Sequence, residues 1–114
     1  MLYDPKKLRG LGVEIDILGK KYSVEKRRFL ARDDNCAGRH NAALCKIEID
    51  GTSAQNMAGS ILIHEILEAI NYHMELGLDH PNITRLESGL FQIMKANGGA
   101  DWLDMILDRA KLVD

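Results

Sequence analysis

The hydrophobic pattern of this 114-residue chain changes period at Gly51. Before that point apolar side chains alternate with polar ones. Val13, Ile15 and Ile17 share one side of an extended segment with Glu14 and Asp16 on the other, Gly19 interrupts, and Tyr22 and Val24 resume. This is the pattern of a β-hairpin. Cys45, Ile47 and Ile49 alternate with Lys46, Glu48 and Asp50, which predicts a further strand closed by Gly51. The stretch from Ala31 to Asn41 has no period and reads as a loop.

After Gly51 the spacing becomes helical. Thr52-Ser53-Ala54-Gln55 has the capping-box form, so a helix is expected to start near Ser53 and run to about Leu76 before Gly77. Asp79-His80-Pro81 opens a second helix, with proline where its missing N–H costs nothing, and Asn97-Gly98-Gly99 ends it. A third spans roughly Asp101 to Lys111, with Trp102, Leu103, Ile106 and Ala110 on one face. Strands followed by helices predict an α+β fold, an N-terminal hairpin plus a further strand packed on three C-terminal helices, as one domain over residues 1–114.

Charge narrows the functional classes. The net charge of -2 divides unevenly, with basic residues in excess up to Lys46 and acidic residues in excess beyond it. No Lys or Arg occurs between Lys46 and Arg85, yet that interval holds Glu48, Asp50, Glu65, Glu68, Glu75 and Asp79 together with His64, His73 and His80. Acids and imidazoles without basic partners repel one another unless they are solvated, protonated or neutralised by a cation. Arg27, Arg28, Arg32 and Arg39 around Phe29 could form a nucleic-acid surface, but a basic run beside a strand is more often a solvated edge. No apolar run approaches the roughly 20 residues that cross a bilayer. Met1-Leu2-Tyr3-Asp4-Pro5-Lys6-Lys7 lacks a signal-peptide core, so the expectation is a cytoplasmic protein without a membrane partner. Cys36 and Cys45 are too few for a disulfide framework, and with His40 they lack the paired knuckles of zinc modules.

The densest chemistry lies in His64-Glu65-Ile66-Leu67-Glu68, one turn of the HExxH zinc-hydrolase helix with glutamate in place of the second histidine. On a helix, residues four apart stack, so His64 and Glu68 can offer an imidazole nitrogen and a carboxylate oxygen to one ion. Glu65 then stands where a carboxylate serves as general base. A catalytic site needs a third protein ligand. Glu87 is the first candidate, because it falls within an apolar stripe of Ile83, Leu86, Leu90 and Met94 and so is partly buried. An antiparallel helix pair centred on Leu78 sets Glu87 level with Ala69, beside Glu68. The 19-residue step from Glu68 to Glu87 also resembles that of gluzincin peptidases, whose third ligand is a downstream helical glutamate. His80 competes, although the same geometry sets it nearer Glu75. His73 reads as a hydrogen-bonded core histidine; Asn71 and Glu75 share the His64–Glu68 face and could support the ligands, although Glu75 reads better as part of a polar helix stripe. One imidazole with two carboxylates makes bound Zn2+ a weaker Lewis acid and shifts preference toward Mn2+ or Fe2+.

The segments His64-Glu65-Ile66-Leu67-Glu68-Ala69-Ile70-Asn71-Tyr72 and Leu86-Glu87-Ser88-Gly89-Leu90-Phe91-Gln92-Ile93-Met94 resemble a group of small, largely uncharacterised phage and prophage proteins with a zincin-like helix reading HExxH or HExxE. The likeness spans roughly Gly12 to Asn97. It implies a minimal zincin-like fold with His64, Glu65, Glu68 and Glu87 at the motif positions, and a host cytoplasmic setting. Three functional readings follow. The first is a metal-binding protein, holding Zn2+, Mn2+ or Fe2+, that hydrolyses a peptide or protein substrate. The second is a non-catalytic relative that binds a protein partner, and the third is a nucleic-acid-binding accessory protein.

Overall fold

The structure is a computed structural model that describes residues 9–114, so the Met1–Lys7 stretch read for a targeting signal lies outside the described residues. It is α+β. The elements are β1 (Glu14–Ile17), β2 (Lys20–Arg27), α1 (Leu30–Asp34), β3 (Gly38–Asn41), β4 (Lys46–Asp50), α2 (Gln55–Met74), α3 (His80–Ala96), α4 (Ala100–Arg109) and β5 (Lys111–Val113). Among the described residues no helix is long and apolar enough to cross a membrane.

The expected hairpin is β1 antiparallel to β2, with Ile15 opposite Tyr22. β2 is the hub of the sheet: β4 pairs with it in parallel, β5 adds in parallel beside Glu25–Arg27, and β3 closes the far edge antiparallel to β4. Because side chains alternate along a strand, Ile15, Ile17, Tyr22, Val24, Ile47 and Ile49 share one face and are all buried. Against it pack Leu62 and Ala69 of α2 and Leu103, Ile106 and Leu107 of α4. Each such Leu or Ile contributes roughly 1.5–3 kcal/mol by leaving water. On the opposite face, Glu48 is covered by Arg27 at 2.9 Å and Arg39 at 2.7 Å. Two acids of the lysine-free interval thus have protein partners, since Asp50 accepts from Thr52 and from the Ala31 amide.

Four local expectations change. The aperiodic stretch Ala31–Asn41 contains α1 and β3. Its edge strand turns Gly38 and His40 toward α2 rather than large apolar residues, so no hydrophobic period marks it. The capping box does not form, because the Thr52 and Ser53 hydroxyls both bond to Asp50 and α2 begins at Gln55, after an extended Ala54. The third helix stops at Arg109, where Ala110 turns extended and leads into β5. Finally, the inward side of α3 is rotated from the expected stripe. Ile83 is fully buried and Phe91 and Met94 pack on the core, whereas Leu86 and Leu90 are 45% and 39% exposed.

Candidate metal centre

Helix α2 carries the motif across the sheet, and its buried side includes Ala58, Leu62, Glu65 and Ala69. Glu65 therefore occupies an apolar helix stripe, while His64 and Glu68 lie on its flank, half-buried. Glu65 is only 7% exposed, and no hydrogen-bond partner holds its carboxylate among the described residues. Burial raises its pKa from 4.5 to about 7, reinforced by Glu68 and Glu87 and opposed by His64. Its side chain fits because Gly38 faces it from β3. A Cβ at residue 38 would stand 2.5 Å from the Ile61 Cγ2 and 3.2 Å from Glu65. Gly38→Ala is accordingly expected to destabilise the fold by about 1–3 kcal/mol, since a β-branched side chain must shift to admit the methyl. Urea unfolding checks this.

The chain does not turn tightly between α2 and α3. Glu75 caps α2 in a left-handed conformation, its amide bonded to Asn71 and Tyr72 carbonyls. Asn71 then clamps both the amide and the carbonyl of Leu78, at 2.9 and 3.1 Å. The connecting segment thus doubles back along α2 before α3 starts at the Asp79 cap, which accepts from the Asn82 amide. A symmetric helix pair centred on Leu78 misplaces α3 for this reason. His80 arrives beside His64, ring centroids 4.9 Å apart, and Glu87 arrives beside His64 and Ser60 rather than level with Ala69.

His64, Glu68 and His80 each present one ligand atom, and all three atoms lie within 4.8 Å of one another. The His64 Nε2 to Glu68 Oε1 separation is 3.6 Å, close to the roughly 3.4 Å between two atoms bound tetrahedrally to one Zn2+ at 2.0–2.1 Å. Glu87 engages the other nitrogen: the His64 Nδ1–H donates to its Oε1 at 2.7 Å. Its Oε2 in turn accepts from the Ser60 hydroxyl. A carboxylate on Nδ1 fixes the imidazole tautomer so that the Nε2 lone pair is free for a cation. Ser60 was not singled out by sequence; its spacing of four before His64 was the available signal.

A cavity of about 450 Å³ opens beside this group, lined by Cys36, Gly38, Ile61, His64, Glu65 and His80 among others. His64, Glu65, His80 and Glu87 thus line one cleft between β3, α2 and α3, and Glu68 adjoins it through His64. His73 lies elsewhere, hydrogen-bonded to buried Tyr22, as expected of a histidine on that side of the helix. Asn71 supports the site by placing α3 rather than by touching it. Cys36 and Cys45 are both free thiols, and His40 pairs with Tyr22 rather than with either of them. Comparison of the chain with protein-family models, with curated proteins and with solved structures finds no match.

Proposed function

We propose that the protein binds a divalent transition-metal cation through His64, Glu68 and His80 and uses it to hydrolyse peptide bonds, with Glu65 as general base. The observation that carries this reading is the convergence of three ligand atoms on one point while Glu87 orients His64 from behind. With His80 in the set, two imidazoles and one carboxylate restore the donor balance typical of hydrolytic zinc sites. That removes the expected weakening of Lewis acidity from a two-carboxylate set and favours Zn2+ over Mn2+ or Fe2+. Bound there, the cation supplies Lewis acidity for a water nucleophile and the scissile carbonyl.

The residues of the chain supply the rest. Glu65 is poised near pH 7 as a proton acceptor, which is where general-base catalysis is most effective at neutral pH. It lines the cleft that a substrate carbonyl must enter. His64 is held by Glu87, which Ser60 holds in turn, so its ring does not reorient during turnover. Phage origin belongs to this reading only through the resemblance of the two helical segments.

The test pairs zinc titration with a quenched-fluorescence peptide library. Glu65→Gln is expected to keep zinc affinity within a few-fold and to lose hydrolysis by about 10²–10⁴-fold, the usual contribution of a positioned base. A wild-type protein that binds zinc but cleaves no peptide, with Glu65→Gln indistinguishable from it, would instead overturn the catalytic role and leave the non-catalytic alternative.

A further inference from the structure

A second group of donors lies outside this cleft, where the last turns of α2 pack on the sheet. The Tyr22 hydroxyl meets the Nε2 of His40 at 2.8 Å and the Nε2 of His73 at 2.5 Å. The two imidazole rings stand 6.1 Å apart at 75°. Their donors come from three elements, β2, β3 and the last turns of α2, each fixed independently by the sheet or by helix packing. Tyr22 is fully buried, while His40 and His73 are half-buried and reach solvent. Tyr72 stands edge-on to both imidazoles, at 5.9 Å from His40 and 5.1 Å from His73. Burial lowers the pKa of His40, reinforced by the neighbouring His73 and opposed by Glu68.

A hydroxyl carries one proton. Tyr22 can donate to one imidazole only, so both contacts are hydrogen bonds only when the other Nε2 bears its own proton. Hydrogen bonding alone therefore requires a proton on one Nε2 and none on the other. One cation facing both lone pairs and the phenol oxygen satisfies all three donors without that constraint. Two aromatic nitrogens and one phenolic oxygen form a borderline donor set, for which late first-row cations have the highest affinity, Cu2+ above Zn2+.

We propose that Tyr22, His40 and His73 form a second metal site, distinct from the His64–Glu68–His80 centre, that takes Cu2+ or a neighbouring late first-row cation. On binding, both imidazoles coordinate through Nε2 and the phenol oxygen becomes the third donor as its proton passes to solvent. Bonds of about 2 Å place ligand atoms about 3 Å apart, so the 2.5 Å contact opens slightly. Solvent completes the coordination on the side of Tyr72.

The experiment uses a His64→Ala/His80→Ala background, which removes the first centre, so that its outcome does not depend on the reading of that centre. Titrated with Cu2+, the background protein is expected to bind one equivalent, to release a proton, and to develop a phenolate-to-copper charge-transfer band. Adding Tyr22→Phe, which preserves the buried ring, should abolish the band while leaving weaker copper binding. Adding His40→Gln or His73→Gln should reduce affinity by roughly 100-fold or more, beyond what a supporting residue costs. Circular dichroism of each variant confirms that it is folded. No bound equivalent in the background protein, or a band and affinity that persist in folded His73→Gln, overturns the proposal. Loss of copper binding in the background with retention in wild type assigns the metal to the first centre alone and overturns it too.

Discussion

His64→Ala is expected to lower zinc affinity by more than roughly 100-fold, His80→Ala to act comparably, and Glu87→Ala to cost roughly 10–100-fold. The ranking follows from which atom each residue offers. His64 and His80 contribute ligand atoms of the convergent group, whereas the Glu87 carboxylate touches the far nitrogen of His64 at 2.7 Å. Removing Glu87 leaves the ligand in place but frees its ring and tautomer. Competition against a chromophoric chelator at fixed pH measures all three variants on one scale. A Glu87→Ala loss as large as that of His64→Ala, with His80→Ala unchanged, would make Glu87 the third ligand and His80 a bystander. That is the arrangement preferred by sequence spacing, so this one series decides between the two ligand sets.

The second large effect concerns stability and pH. The Glu65 carboxyl is raised from 4.5 to about 7 by burial, so the folded protein holds this proton more tightly than the unfolded chain does. Its contribution is thus most favourable below about pH 4.5, declines as pH rises through the interval, and reaches its full penalty above about pH 7. The penalty amounts to about 3 kcal/mol. Glutamine at residue 65 is neutral throughout and escapes it. Metal-free Glu65→Gln should therefore match wild type near pH 4.5 and exceed it by about 3 kcal/mol at pH 8, or roughly 10 °C in Tm for a domain of this size. Urea unfolding of chelator-treated protein at both pH values checks this. Parallel pH profiles for the two proteins would show that Glu65 is not desolvated in the fold. A bound cation favours the carboxylate, so zinc should narrow the difference.

Much of the fold could be read from period alone, and the limits of that reading are physical. Ile15, Ile17, Tyr22, Val24, Ile47 and Ile49 alternate because one sheet face is buried, and the hairpin and β4 follow directly. β3 escaped because its inward positions, Gly38 and His40, serve the cleft and Tyr22 rather than the hydrophobic core. β5 escaped because three residues show no period, and its partner lies far away in sequence. Within the site, His64, Glu65 and Glu68 share one turn of helix, so local spacing was sufficient to bring them together. The placement of His80 and Glu87 depends on the segment that Asn71 holds against α2. A side chain gripping a backbone seven residues away has no sequence pattern. Glu87 is partly buried, as a place within the apolar stripe implies, but Leu86 and Leu90 of that stripe are substantially exposed, so α3 is rotated from the orientation the stripe predicts.

The parallel pairing of β5 with β2 sets the order in which the molecule can assemble. Glu25–Arg27 meet Lys111–Val113, and the Arg28 amide bonds to the Val113 carbonyl. The β1–β2 hairpin can form as soon as it is synthesised, but this flank of its central strand stays open until the last helix has been made and packed. Contacts between such distant segments carry a loop-closure cost before they return any stabilisation, and they slow folding. Between the synthesis of β2 and that of β5, a nascent chain therefore carries an unpaired strand edge at Glu25–Arg27. That makes association with other chains a kinetic hazard of translation rather than of the finished fold.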